Sequence, residues 1–285
     1  MRIKRLKKLN RTRGGNAVIF ILLALLGAFM ALPLVYAVIQ SIKPLEELYI
    51  FPPRFYARRP TLDNFRDLIA VSTGLSVPFE RYILNSVFIS VIITVGHVII
   101  ASMAAYPLAK HNFPGHKILF NIIVMTLMFS APVMSIPTYI VMAKLHLINN
   151  YLSVILPSLA STLGLYLMKQ FMVQIPDTML EAARIDGARE LRIFFRIVMP
   201  QVKPAWLTLI IFAFQSAWNQ TGDSFIYNEE LKMLPTVLGQ ISAGGIARAG
   251  VSSAAAVLLM IPPILAFLIT QSNVIETMCH SGMKE

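Results

Sequence analysis

The feature that most constrains this chain is a succession of about six apolar runs, each near the roughly 20 residues of helix needed to cross a bilayer. They cover residues 16–42, 83–109, 118–143, 152–168, 205–222 and 249–273. Backbone inside lipid must satisfy its own polar groups, so such runs dictate helices. Only 14% of the 285 residues are charged and the mean hydropathy is +0.66, too little charge to cover a soluble domain of this size. The expected fold class is all-α, a polytopic membrane protein with six transmembrane helices.

The charges that remain read as topology signals. Arg2, Lys4, Arg5, Lys7, Lys8, Arg11 and Arg13 precede the first run with no acid among them. A cleaved signal peptide is the competing reading, but its apolar stretch spans only about 7–15 residues, and 16–42 is longer. The formal charge of +11 comes mostly from bases flanking apolar runs, a pattern of membrane orientation rather than of nucleic-acid binding. Basic clusters at 1–15, at 110–117 and at 176–200 fall on one face if both termini are cytoplasmic. The loop at 43–81, proline-punctuated and charge-balanced, and the loop at 223–248 then lie outside. A short helix is expected near 61–70, capped by Thr61 or Asp63. With one cysteine, Cys279, no internal disulfide forms.

An island of charge at 178–200 interrupts this pattern. Thr178 and Glu181 have capping-box spacing, Glu181-Ala182-Ala183-Arg184 favour helix, and Asp186-Gly187 bends the chain. A second helix is expected from Ala188, with Leu191, Phe194, Phe195 and Val198 on its apolar face. By local physics this is equally an amphipathic segment resting on lipid.

Glu181-Ala182-Ala183, Gly187, Ile197 and Pro200 stand in the pattern E-A-A-x3-G-x9-I-x-L-P, which resembles the EAA loop of ABC-importer permeases. Met199 replaces the usual Leu. Asp186-Gly187-Ala188 and Trp218-Asn219 are similar to the carbohydrate branch, the maltose-type G subunits. The resemblance implies a type I ABC importer permease fold, with a transmembrane domain at 16–275, a coupling loop at 176–200 and a cytoplasmic tail at 276–285. It further implies that Glu181, Ala182, Ala183, Asp186, Gly187, Ile197 and Pro200 serve ATPase coupling. The implied partners are a second, unlike permease, two ATP-binding cassette subunits that hold ATP and Mg, an extracytoplasmic solute-binding protein, a saccharide and the lipid bilayer.

No chemistry of the chain's own is legible. There is no phosphate-binding G-x-x-x-x-G-K-[ST] and no H-E-x-x-H or G-x-S-x-G, so neither an enzyme, a cofactor site nor a metal site is expected. The pathway is expected to be lined by polar groups and helix irregularities. Candidates are Ser130 and Ser135 around Pro132 and Pro137, Tyr139, Gln215 and Asn219 one turn apart, Trp218, and His97, the one ionisable residue of the second span. Tyr139 and Trp218 fit a sugar's apolar face or an interfacial belt; His97 fits a transport role or a neutral hydrogen bond between helices. The expected function is the permease subunit of an ATP-driven importer of an oligosaccharide or sugar derivative. A permease for amino acids or peptides shares the architecture, and a lipid-linked glycosyl transferase demands clustered carboxylates in a span, which the sequence lacks.

Overall fold

The structure, a computed structural model, describes residues 13–74, 76–129, 131–245 and 248–281. Ser130, the basic residues 1–12 and the last four of the tail lie outside the described residues. The described residues are helical, without a strand. They form two compact units: residues 1–68 with 245–257, and residues 69–244 with 258–285.

In the first unit α1 (Arg13–Ser41) exposes its apolar side chains, Phe20 by 72% and Phe29 by 71%. After the short α2 (Leu45–Leu48) the chain returns through α3 (Asp63–Thr73). Asp63 N–H donates to Thr61 Oγ1 at 3.1 Å, so Thr61 supplies the expected cap. Asn64 donates to the carbonyls of Ser41 and Lys43 at 2.8 and 2.7 Å, satisfying acceptors that the end of α1 leaves open. A Cβ on Gly250 would lie 2.1 Å from Asn64 Oδ1, so only glycine admits this contact.

The second unit is built on α4 (Phe79–Lys110). Its 32 residues rise about 48 Å, more than a bilayer core. Tyr82, Ser86, Ile89, Ile93, His97, Ala101 and Ala105 recur at three- and four-residue spacing along its buried stripe. Small and hydroxyl residues there permit close helix packing. Thr94 and Ser102 donate to the carbonyls of Ser90 and Val98 at 2.6 Å each, so their hydroxyls are satisfied within the helix. Against this stripe pack α7 (Leu152–Leu159), α8 (Thr162–Val173) and α12 (Lys203–Trp218).

Among the described residues four helices are long and apolar enough to span a membrane: Gly14–Ser41, Phe79–Lys110, Leu152–Val173 and Ala249–Gln271. A fifth arises if Glu190–Gln201 and Lys203–Trp218, bent by 80°, count together. The span at 118–143, expected to be interrupted at the proline-rich stretch around 130–137, is divided between α5 (His116–Thr126) and α6 (Ala131–Lys144). Pro132 sits in the first turn of α6, where its missing N–H is tolerated, so the interruption falls before it. The span expected at 205–222 ends at Trp218. The expected tail is helical through Ser281, because α14 covers Ala249–Ser281. The loop at 223–248 contains α13 (Leu234–Ser242), whose Leu234, Val237, Leu238 and Ile241 are buried.

Candidate coupling site

The charged island forms α9 (Asp177–Ile185), α10 (Glu190–Ile193), a π-turn (Phe194–Val198) and α11 (Met199–Gln201). The expected capping box is not what starts α9. The N-cap is Pro176 with no side-chain cap, which places Thr178 inside the first turn, too far along to receive the Glu181 carboxylate at its N–H. The start is held from outside. Lys110, its side chain 3% exposed, donates to Asp177 Oδ1 at 2.7 Å and to the carbonyls of Ile175 and Val173 at 2.5 and 3.4 Å. One buried ammonium thus closes the end of α8 and neutralises the acid opening α9.

The bend after α9 has Schellman geometry. Gly187 N–H donates to Arg184 O and Ala188 N–H to Ala183 O, both at 3.0 Å. Gly187 takes φ +79°, and a Cβ there would meet nothing within 4 Å. Glycine is needed for the backbone, not for space.

Beyond the bend, Arg184 Nε donates to Glu190 Oε1 at 2.7 Å and Tyr106 Oη to Glu190 Oε2 at 2.7 Å, with His111 Nε2 3.6 Å from the same carboxylate. Arg184 first, then Tyr106, hold the Glu190 carboxyl below its ordinary range, against a smaller rise from burial. Glu190 in turn raises Arg184. The two arms of the hairpin are therefore tied to each other and to the end of α4.

The hairpin buries Leu180, Ile193, Phe194 and Val198 in one core with Ala105, Tyr106, Met168, Met172 and Leu209. At about 1.5–3 kcal/mol per buried apolar side chain, this anchoring outweighs what its polar surface contacts supply. Of the expected apolar face, Phe194 and Val198 are buried as expected, whereas Leu191 is 65% and Phe195 57% exposed and Ile193 is buried in addition. The π-turn, with one extra residue per turn, rotates the residues that follow. Glu181, Ala182, Asp186, Gly187 and Pro200 are exposed, Ile185 is 86% exposed, and Ala183 and Ile197 lie half-buried against the core. The Glu181 side chain makes no ion pair or hydrogen bond among the described residues.

The pathway candidates are not brought together. His97, 2% exposed, bonds through Nδ1 to Leu159 O at 3.0 Å, where α7 breaks before α8. It borders a cavity of about 170 Å³ lined also by Ser158, Ser161, Gly164 and Ser216. Trp218 is 3% exposed, stacked on Phe214 at 6.0 Å and donating Nε1–H to Leu259 O at 3.1 Å. For the sugar-stacking role expected of it, the ring already stacks on Phe214 and its N–H is already bonded within the fold. Gln215 and Asn219 are exposed, Asn219 being the C-cap of α12 rather than a mid-span residue. Ser135 is exposed and donates to Pro132 O at 2.7 Å. Tyr139 stacks on Phe225 at 6.3 Å, beside Tyr227, whose Oη donates to Ser224 O at 3.1 Å.

Lys110, Tyr106, His111 and Glu190 did not emerge from the sequence, because Lys110 and Asp177 stand far apart along the chain. A basic residue ending one helix and an acid opening another were the only signal. Among the described residues no group of acids, histidines and cysteines is arranged to hold a metal ion.

The chain is similar to known transport proteins over most of its length. It is 30% identical over 259 residues, 89% of this chain and 92% of the relative, to the sn-glycerol-3-phosphate transport system permease protein UgpE of Escherichia coli O1:K1 / APEC. It is 35% identical over 200 residues, 69% of this chain and 71% of the relative, to the UgpE of Yersinia pestis bv. Antiqua (strain Antiqua). Its fold matches a chain in the crystal structure of a bacterial ABC transporter involved in the import of the acidic polysaccharide alginate. There the TM-score is 0.75 and the identity 24%, over 93% of this chain and 99% of the other. That match establishes the type I ABC permease fold. With residues 82–277 matching the family as well, the chain belongs to the binding-protein-dependent transport system inner membrane components.

Proposed function

We propose that this chain imports an oligosaccharide or sugar derivative as one permease of an ATP-driven complex, with α9 as the helix that receives force from an ATP-binding cassette subunit. The observation that carries the coupling role is the split character of α9. Leu180 is buried and its base is clamped by Lys110, while Glu181, Ala182 and Ile185 face outward. A short rigid helix exposed on one side and packed on the other transmits a rigid-body movement.

In this reading Glu181, Ala182, Ala183, Asp186 and Gly187 meet the ATPase, while Ile197 and Pro200 shape the return to α12. The partners are a second, unlike permease, two ATPase subunits that bind ATP and Mg, and an extracytoplasmic binding protein. Residues 1–15 and 276–285 lie in the cytoplasm, and 16–275 form the transmembrane domain. Gln215, Trp218, Asn219, Ser130, Ser135, Tyr139 and His97 serve the pathway. The chain itself performs no covalent step; solute moves as ATPase closure draws the coupling hairpins together.

Ala182→Cys, cross-linked to an ATPase cysteine in the assembled complex, tests the coupling role. Cross-linking that follows the nucleotide state supports it, and a thiol at this position that stays unreactive in every state overturns it. Two curated relatives named for sn-glycerol-3-phosphate favour a second reading of the cargo, a small phosphorylated polyol. Competition for uptake between oligosaccharides and glycerol phosphate separates the two.

A further inference from the structure

A basic pocket of about 350 Å³ opens between the end of α4, the start of α5 and the last turns of α8. His111, His116, Lys117, Asn121 and Lys169 line it around Phe120, and no carboxylate does. The bases near this end of α4 divide into two groups. Lys110 is neutralised by Asp177, and His111 faces Glu190. Lys117 and Lys169 have no acidic partner among the described residues; Lys169 Nζ lies 3.7 Å from the Phe120 ring centroid. A half-buried ammonium supported only by a ring face retains most of its demand for an anion.

The surroundings specify which anion. Along α5, one turn from the pocket mouth, Ile118 is 68%, Leu119 46% and Ile122 54% exposed. A ligand seated here meets two ammonium groups and an amide at one end and an apolar helix face at the other. Those are the demands of a phosphate diester carrying acyl chains, placed where a spanning helix leaves the bilayer. Free phosphate satisfies the bases but not the apolar face.

We propose that this pocket binds the headgroup phosphate of an anionic phospholipid, with Lys117 and Lys169 as its cationic contacts. The proposal rests on the membrane orientation given above, and not on the identity of the cargo or on the docking of α9.

The test uses the complete transporter complex in nanodiscs containing phosphatidylglycerol and phosphatidylcholine, with retained lipid read by native mass spectrometry. Wild type is expected to retain phosphatidylglycerol preferentially. Lys117→Gln with Lys169→Gln should weaken that retention by about 30-fold, as two cationic headgroup contacts imply, and Lys144→Gln should leave it unchanged. Lys117→Gln alone, at an exposed position, should give an intermediate loss and stands as the test if the double variant assembles poorly. Equal retention in wild type and variants overturns the proposal. So does inorganic phosphate that raises the complex's melting temperature in detergent as much as phosphatidylglycerol does, which makes the ligand free phosphate. Loss of the ATPase subunit with lipid retention unchanged also overturns it, since the pocket is then a protein contact.

Discussion

Replacing Lys110 by Met isolates the clamp beneath α9. Methionine keeps most of the apolar stem that Lys110 packs and removes the ammonium. The bond to Ile175 O at 2.5 Å is charge-assisted and its donor is 3% exposed, so it contributes roughly 1.5–3 kcal/mol. The Val173 contact at 3.4 Å is beyond good hydrogen-bond geometry and adds little. Asp177 is 75% exposed, which limits the ion pair to about 0–1 kcal/mol. The loss is therefore about 1.5–4 kcal/mol, or ~10- to 1,000-fold in the equilibrium between a seated and a released α9. In proteoliposomes of the complete complex, Lys110→Met should leave basal ATP hydrolysis and assembly in place. Solute uptake, and the stimulation of hydrolysis by loaded binding protein, should fall at least tenfold. Lys110→Arg should recover part of both, and Asp177→Asn should change them by less than about fivefold. Wild-type uptake in Lys110→Met refutes the clamp. Equal damage from Asp177→Asn refutes the weighting, because the exposed ion pair then carries what was assigned to the buried carbonyl.

Gly187→Ala should destabilise the turn by about 1–2 kcal/mol from backbone strain alone, since a Cβ meets no neighbour. Gly187→Asp should abolish uptake while membrane insertion, checked by fractionation, remains; uptake at wild-type level refutes a coupling role for the bend. Arg184 and Tyr106 lower the Glu190 carboxyl from its ordinary value of 4.5, so its contribution is complete above that value and is lost only as pH falls through the lowered one. ATPase stimulation across about pH 6–8 should therefore be indifferent to this group, and Glu190→Gln, on a half-exposed pair, should cost on the order of 1 kcal/mol. Gly164→Ala should destabilise by about 1–3 kcal/mol through overpacking, because its Cβ would lie 2.1 Å from His97 Nε2 and 2.8 Å from Leu209 Cδ1. His97→Ala in the same chain should relieve part of that loss, measured as melting temperature in a double-mutant cycle.

Much of the architecture was legible before the structure. The helices fall where the apolar runs do, since burial in lipid leaves a long uncharged run no other backbone form. The Gly187 bend was legible because one residue type alone takes that φ without strain. The break in the third expected span was legible as proline-rich, though its place was not, because a proline is tolerated just inside a helix start. The π-turn at Phe194–Val198 has no local signature, so Phe195 was assigned beside Phe194 and Val198 to a core from which the structure turns it away. α13 passed for loop because Pro235, Thr236 and Gly239 weaken its helical pattern, and burial of its apolar face decided the matter.

Local rules acting on the sequence alone determined the class of fold, the position of the charged hairpin and the residue at its bend. Only the tertiary structure decided what holds that hairpin in place and which polar residues remain free for a solute. Lys110 finds Asp177, Tyr106 finds Glu190 and Trp218 finds Leu259 across long stretches of chain. Such pairings depend on which helix faces pack together, and a pattern of 3.6 residues per turn defines a face without naming its neighbour.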